Sequence, residues 1–226
     1  MLDGRWKSDI ERRLRPLGAD LSRTGISADH LTLVGMVMAV ATAVAVANGA
    51  LRLGVLLLVA SAVPDALDGA VAKASGTASP RGSFFDSVAD RITDALLLGG
   101  VAWYLSSATG GRIVILPFAL LATSALVSYQ RAKAESLGFE ARGGLMERAE
   151  RIVALGIGLL FDSLLVPVLW VMLALTLFTA VQRFVKVWRQ ASVPVPADPR
   201  PRWRARRVAR RRDPALRRRA HPRRRT

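Results

Sequence analysis

Long apolar runs cover most of residues 31–186 and limit what this chain can fold into. A helix needs about 20 mostly apolar residues to cross a bilayer, and all of its backbone polar groups must be paired inside the helix. Six segments meet or approach this length: residues 31–50, 53–74, 84–106, 112–133, 148–161 and 164–186. The sequence therefore predicts an all-α integral membrane protein with six transmembrane helices.

The segment before the first predicted span, residues 1–30, is expected to form an amphipathic helix on the membrane surface. Trp6, Ile10, Leu14, Leu17 and Leu21 recur at helical spacing with basic residues between them. A soluble amphipathic helix packed on the protein is an alternative. Lys and Arg lie mainly before the first span, in alternate loops and after the last span, so both termini are expected to be cytoplasmic.

Most of the net charge lies at the C-terminal end of the chain. The formal net charge is +16, and residues 198–226 contribute +12 through 14 Arg and two Asp. Few apolar groups and many like charges predict a disordered cytoplasmic tail at residues 191–226. We expect it to lie on anionic lipid; nucleic-acid binding is disfavoured because Trp203 is the only aromatic side chain available for stacking. Residues 31–190 are then expected to form the membrane domain, which lies in the cell membrane with any functional site on its charged, cytoplasmic side.

Four aspartates lie inside the second and third predicted spans. Asp65 and Asp68 are three residues apart and Asp86 and Asp90 are four apart, so each pair projects from one face of its helix. Burying four carboxylates together is costly because they repel one another and lose hydration. Divalent cations would offset this cost, and oxygen ligands without Cys or His indicate Mg²⁺ or Mn²⁺. The alternative is that these aspartates cap helices or pair with nearby arginines.

The spacing of these residues resembles the signature of the CDP-alcohol phosphotransferases, integral membrane enzymes of phospholipid synthesis. In this chain the motif reads Asp65-x-x-Asp68-Gly69-x-x-Ala72-Lys73, followed after eight residues by Gly82-x-x-x-Asp86-x-x-x-Asp90. The family usually has Arg at the position of Lys73. Lysine keeps the positive charge but cannot make the same bidentate hydrogen bonds to a phosphate.

The resemblance implies a phosphoryl displacement at a site with two Mg²⁺ ions. The four aspartates would hold the metals, and Asp90 would also act as the general base toward the acceptor hydroxyl. The implied donor is CDP-diacylglycerol, the leaving group is CMP, and the protein is expected to be a homodimer. The positions implied to bind the CDP-lipid are Asp29, Thr32, Gly69, Ala72, Lys73, Ser79 and Gly82. For Asp29 and Thr32, a role in capping the first helix is an equal alternative.

A group of cations indicates an anionic acceptor. Basic residues lie in segments 128–135, 143–151 and 182–183, near the predicted cytoplasmic end of the bundle. Cations at membrane level are costly unless partnered, and the expected partner is an anionic group of the substrate. Alternatively, some of them anchor the protein to lipid headgroups.

These segments resemble those of the actinobacterial phosphatidylinositol phosphate synthases. The resemblance implies that the acceptor is 1D-myo-inositol 3-phosphate. The arginines implied to bind its phosphate are Arg131, Arg148, Arg151 and Arg183. Two alternatives remain open: a phosphatidylglycerophosphate synthase, which would use glycerol 3-phosphate, and a cation transporter.

Overall fold

The structure is a computed structural model that describes residues 27–192, except residues 75, 77, 78, 110 and 142. For residues 65, 66, 68–70, 73 and 74 only the helical backbone is described. Among the described residues, 27–188 belong to one compact unit. The predicted surface helix and tail lie, apart from a few residues at their edges, outside the described residues.

Six α-helices and one short 3₁₀ turn form the described part of the chain, in which no β-strand occurs. The helices are α1 (Ala28–Ala47), α2 (Leu51–Ala74), α3 (Pro80–Ala108), α4 (Ile115–Ser136), α5 (Arg148–Leu160) and α6 (Asp162–Ala191). The 3₁₀ turn, Gly111–Val114, precedes α4. The six helices correspond to the six predicted segments, so the prediction of an all-α fold is confirmed.

Capping residues determine where α1 and α3 begin. The backbone N–H of His30 donates to Ser27 Oγ at 3.3 Å, and the backbone N–H of Ser27 donates to His30 Nδ1 at 3.3 Å. Ser79 Oγ accepts a hydrogen bond from the Gly82 N–H at 3.2 Å. Pro80 follows Ser79 in the first turn, where its missing N–H has no intrahelical partner to lose. Helix α3 therefore starts a few residues earlier than hydropathy alone predicted.

Glycines in the left-handed conformation end α1 and α4. Gly49 has φ 77° and Gly138 has φ 81°. In each case the glycine N–H and the next N–H bond back to the last turn: Phe139 N–H, for example, donates to the Ala134 carbonyl at 2.9 Å. Such a turn satisfies free carbonyls at the helix end, and a glycine adopts it without strain.

Within the described residues, three helical segments are long and apolar enough to cross a membrane: α1, the 3₁₀ turn together with α4, and α6. Helix α2 is apolar over Leu51–Pro64 and then acquires acidic residues. Helix α3 carries several charges in its first half, and α5 has 13 residues, which span only about 20 Å. A helical membrane protein is therefore supported, and the six-span arrangement remains a prediction.

Helix α1 packs closely against both α2 and α3. A Cβ atom built on Gly100 of α3 would lie 2.7 Å from the carbonyl oxygen of Ala43, and one built on Gly54 of α2 would lie 2.6 Å from Val46 Cγ2. Only glycine fits the close backbone approach at Gly100, whereas a side chain at Gly54 would require the Val46 side chain to shift. Helix α5 packs against α2, and α4 packs against α3. The two helices that carry the motif aspartates are thus held by a common neighbour.

Candidate active site

Three aspartates follow one another at successive turns of α3. Asp86, Asp90 and Asp94 are each four residues apart, so they lie on one face of the helix. The Asp94 side chain is buried, and that of Asp90 is 18% exposed. Asp65 and Asp68 lie on α2, where the structure describes their backbone only. Among the described side chains, which exclude these two, no group of three or more His, Cys, Asp or Glu could hold a metal.

A cleft lies between α1, α2, α3 and α5, beside Asp90. Thr32, Ser61, Asp90 and Arg148 line it. Asp65 and Asp68 follow Ser61 by four and seven positions, which places these three residues on one face of α2. Carboxylate donors without Cys or His are those that Mg²⁺ and Mn²⁺ prefer. The donor set therefore fits the predicted divalent cations.

The positions expected to bind the CDP-lipid occupy the same end of the bundle. Thr32 is buried, donates its hydroxyl to the Ala28 carbonyl at 3.1 Å and lines the cleft. Asp29 pairs with Arg81 at 3.7 Å, and both side chains are largely exposed. The N-cap of α1 is Ser27, so the alternative that Asp29 or Thr32 caps this helix was wrong.

The remaining positions of this group lie on either side of the connection between α2 and α3. Ser79 and Gly82 form the start of α3 through the cap described above. Ala72 is half-buried in the last turn of α2. Gly69 and Lys73 are helical positions of α2, and the Lys73 side chain is not described. All of them stay predicted CDP-lipid contacts.

An ion-pair network connects α3 to α5. Arg148 Nη1 contacts Asp90 Oδ1 at 2.8 Å, and Arg151 Nη2 donates to Asp94 Oδ2 at 3.0 Å. Arg148 Nε also lies 3.7 Å from Asp94 Oδ1. Asp90 Oδ2 accepts a hydrogen bond from Arg91 Nη2 at 3.2 Å, so pairing of this aspartate with nearby arginines does occur. The network brings the predicted base next to two predicted acceptor arginines.

Arg183 on α6 is buried and makes three hydrogen bonds. It donates to the Val127 carbonyl of α4 at 2.9 Å, to the Gly143 carbonyl at 3.0 Å and to Glu147 Oε1 at 2.8 Å. One guanidinium thus joins α6, α4 and the α4–α5 loop. The loop is also fixed at Met146, whose N–H donates to Thr179 Oγ1 of α6 at 3.1 Å.

Arg131 on α4 is the most exposed of the four predicted acceptor arginines. Its side chain is 41% exposed and pairs with Glu135 one turn further along the same helix, at 3.1 Å. Arg183 bonds to the Val127 carbonyl, one turn before Arg131 on α4, and to Glu147, which directly precedes Arg148. The structure therefore gathers arginines from α4, α5 and α6 into one region.

Two carboxylates of this site were not assigned from the sequence. Asp94 pairs with Arg151 and Glu147 with Arg183, so these two arginines have partners within the protein in addition to the substrate group expected from the sequence. A buried cation is stabilised by any well-placed carboxylate, including one from a distant segment. The continued four-residue spacing from Asp86 to Asp94 was the one available sequence signal.

Comparison with known proteins identifies the family. Residues 26–188, which include all but the last few residues of the six-helix bundle, match the model of the CDP-alcohol phosphatidyltransferases. The chain belongs to the CDP-alcohol phosphatidyltransferase family. It is an enzyme of that family, so the resemblance seen in the aspartate motif is confirmed and the cation-transporter alternative was wrong.

Curated relatives of the chain are inositol phosphate lipid synthases. An archaetidylinositol phosphate synthase of Methanothermobacter thermautotrophicus is 38% identical over 188 residues, which cover 80% of this chain and 91% of that protein. A phosphatidylinositol phosphate synthase of Streptomyces avermitilis is 33% identical over 206 residues, covering 85% and 84% respectively.

A solved structure has the same fold. The crystal structure of Mycobacterium tuberculosis phosphatidylinositol phosphate synthase with CDP-DAG bound matches with a TM-score of 0.74 and 29% identity, covering 82% of this chain and 99% of that one. The same mycobacterial enzyme, solved in complex with manganese and citrate, matches with a TM-score of 0.73. The mycobacterial enzyme and this chain therefore share the fold over almost the whole mycobacterial chain.

Proposed function

We propose that this protein transfers the phosphatidyl group of CDP-diacylglycerol to 1D-myo-inositol 3-phosphate and releases CMP. The observation that carries this proposal is the 2.8 Å contact between Arg148 and Asp90, continued by the pair of Arg151 with Asp94. It puts cations suited to an acceptor phosphate beside the carboxylate suited to deprotonate an acceptor hydroxyl. An acceptor that carries both groups matches this arrangement.

The reaction is a single displacement at phosphorus. The acceptor hydroxyl oxygen attacks the phosphorus of the phosphatidyl group, the bond from this phosphorus to the bridging oxygen of CMP breaks, and CMP leaves with that oxygen. Asp90 takes the hydroxyl proton as the general base. Asp90 lies beside Arg148 of α5, so an acceptor bound through its phosphate would present its hydroxyl to the base before attack.

Two Mg²⁺ or Mn²⁺ ions would be held by Asp65, Asp68, Asp86 and Asp90. They would supply charge stabilisation for the attacking and leaving oxygens. The mycobacterial neighbour, whose structure was solved in complex with manganese, supports a divalent cation in this chain as well. The cytidine diphosphate would lie along Thr32, Ser79 and Gly82, between the starts of α1 and α3.

The acceptor phosphate would be bound by Arg131, Arg151 and Arg183, with Arg148 in support. Guanidinium groups bind phosphate bidentately and remain charged at neutral pH. Of these, Arg131 has the greatest freedom to contact an entering substrate, since it is the most exposed. The buried guanidinium groups of Arg151 and Arg183 are instead held rigidly by their pairs with Asp94 and Glu147.

We also propose a six-span topology in the cell membrane with both termini and the active site on the cytoplasmic side, and a homodimer. The segregation of Lys and Arg to one end of the bundle supports the orientation. The Arg-rich tail would lie on anionic lipid there. Deleting residues 198–226 should leave turnover in detergent unchanged, and a complete loss of turnover in folded protein would contradict this role.

An acceptor panel tests the proposed function. Purified protein with CDP-diacylglycerol and Mg²⁺ or Mn²⁺ is supplied with inositol 3-phosphate, free inositol or glycerol 3-phosphate, and CMP release is measured. We expect inositol 3-phosphate to be the best acceptor. A preference for glycerol 3-phosphate would instead indicate a phosphatidylglycerophosphate synthase. A preference for free inositol would contradict the proposed role of the arginines in binding an acceptor phosphate.

A parallel donor comparison is needed because one relative is an archaetidylinositol phosphate synthase. CDP-diacylglycerol and CDP-archaeol share the cytidine diphosphate but differ in their ester- or ether-linked lipid. Faster CMP release from the diacyl donor supports the proposal. Faster release from the archaeol donor would keep the reaction and the acceptor and would change the lipid.

A further inference from the structure

We propose that Asp94 is a positioning residue for the acceptor: its carboxylate holds Arg148 and Arg151 in the arrangement that binds the acceptor phosphate beside Asp90. The proposal rests on the proposed function and adds a residue outside the aspartate motif to its acceptor site. Asp94 lies one helical turn beyond Asp90, at the end of the series that begins with Asp86.

The two oxygens of Asp94 face different arginines. Oδ2 accepts a hydrogen bond from Arg151 Nη2 at 3.0 Å, and Oδ1 lies 3.7 Å from Arg148 Nε. Asp94 and Arg151 are both buried, and Arg151 Nη1 also donates to the Met146 carbonyl at 3.4 Å. Arg151 is therefore fixed from two directions by protein groups.

Arg148 lies between the two aspartates. Its Nη1 contacts Asp90 Oδ1 at 2.8 Å, whereas its Nε lies 3.7 Å from Asp94 Oδ1, within ion-pair distance but too far for a hydrogen bond. Attraction to both carboxylates, which come from the same face of α3, limits the orientations of this guanidinium and lowers the entropy cost of binding a phosphate to it. Arg131 differs, since it is exposed and its pair with Glu135 lies along its own helix.

The two aspartates that face Arg148 have different tasks. Asp90 is the proposed base and metal ligand, so its carboxylate is engaged by the reaction. Asp94 has no proposed part in the chemistry and stays with both arginines throughout. It thereby keeps Arg148 and Arg151 next to Asp90. A change at Asp94 should therefore weaken binding of the acceptor more than binding of the CDP-lipid.

The test compares wild type with Asp94→Asn, Asp94→Glu and the control Asp162→Asn. Asn keeps the shape but loses the charge, whereas Glu keeps the charge and moves it by one methylene. Asp162 lies at the opposite end of the bundle, where it accepts a hydrogen bond from Tyr104 at 2.9 Å. The experiment measures the KM values of inositol 3-phosphate and CDP-diacylglycerol, the inhibition constant of inorganic phosphate, and the thermal unfolding of each variant.

We expect Asp94→Asn to raise the acceptor KM and the inhibition constant of inorganic phosphate by about tenfold or more, with the CDP-diacylglycerol KM changing by less than about twofold. Asp94→Glu should retain the fold and show a smaller rise in the same two constants. Asp162→Asn should leave all three constants at the wild-type values.

Equal rises in both KM values would overturn the proposal, because a general loosening of the bundle affects both substrates. If Asp94→Asn does not fold, Asp94→Glu decides: wild-type constants for acceptor and phosphate in that folded variant would also overturn it. Failure of the proposed function is seen separately, as a wild-type preference for another acceptor. The inorganic phosphate measurement still tests Asp94 in that case.

Discussion

The acidic and the cationic halves of the candidate site are built in different ways. The acidic half comes from one continuous stretch, residues 65–90, in which two helices and a short connection carry all four motif aspartates. The cationic half is assembled from Arg131, Arg148, Arg151 and Arg183, which come from α4, α5 and α6. The first half depends on local spacing, and the second depends on how distant helices pack.

The two halves also differ in the partners that stabilise their charges. Arg151 and Arg183 are buried against the protein's own carboxylates, Asp94 and Glu147. Among the motif aspartates, Asp90 pairs with Arg148 and Arg91, and metal ions are the further partners expected for all four. A site for a phosphorylated acceptor can therefore be rigid before substrate arrives, whereas the acidic half depends on bound cations.

The largest expected effect lies where the two halves meet, at Asp90. Asp90→Asn removes the proposed base while leaving a side chain of the same shape, and CMP release should fall by about 10²–10⁴-fold. Asp162→Asn is the matched control and should keep wild-type turnover. Undiminished CMP release by folded Asp90→Asn protein would show that another group accepts the proton.

Within the cationic half, replacing Arg183 should destabilise the protein more than replacing Arg131, because Arg183 is buried and Arg131 is exposed. Arg183→Ala removes the buried guanidinium that bonds to Glu147, Val127 and Gly143, and should lower the free energy of unfolding by about 3–5 kcal/mol. Arg131→Ala removes an exposed pair on one helix and should cost less than about 1 kcal/mol. Denaturant unfolding measures both, and similar losses would contradict the rigid, preformed role of Arg183.

Helix packing behind the acidic half can be tested with two neighbouring glycines. A Cβ on Gly100 would meet the backbone of Ala43, so Gly100→Ala should destabilise the protein by about 1–3 kcal/mol. Nothing lies within 4 Å of a Cβ on Gly99, and Gly99→Ala should stabilise α3 by up to about 1 kcal/mol. Thermal unfolding of the pair should show shifts of opposite sign, and equal shifts would exclude the close contact of α1 with α3.

The smallest effect is expected far from both halves. Tyr104 donates to Asp162 at 2.9 Å and joins the end of α3 to the start of α6. Tyr104→Phe should cost about 0.5–1.5 kcal/mol of unfolding free energy and leave both KM values unchanged. A change in either KM would mean that this end of the bundle is coupled to the site.

Local signals were sufficient for the helices and for the acidic half. Apolar runs located all six helices, and Ser79 with Pro80 explains why α3 begins earlier than its apolar run. The cap of α1 at Ser27 also follows from a local pattern, although it was not assigned. These features depend on residues within a few positions of one another, so they can be inferred without knowing the packing.

The partners of the arginines could not be inferred in the same way. Arg151 and Asp94 are 57 residues apart, and Arg183 and Val127 are 56 apart. No spacing rule connects such positions, because only the packing of α3, α4, α5 and α6 decides which side chains meet. Reasoning from each arginine alone indicated a substrate partner, and the fold adds Asp94 and Glu147 as partners within the protein.

By itself, the sequence determined the helical membrane fold and the family, because hydrophobic length and the fixed gaps of one motif are properties of contiguous residues. Only the tertiary structure decided that Arg148 contacts Asp90, that Arg151 pairs with Asp94, and that Arg183 joins three segments. The physical reason is that a buried charge is stabilised by whichever opposite charge the packing brings within a few ångströms, at any distance along the chain.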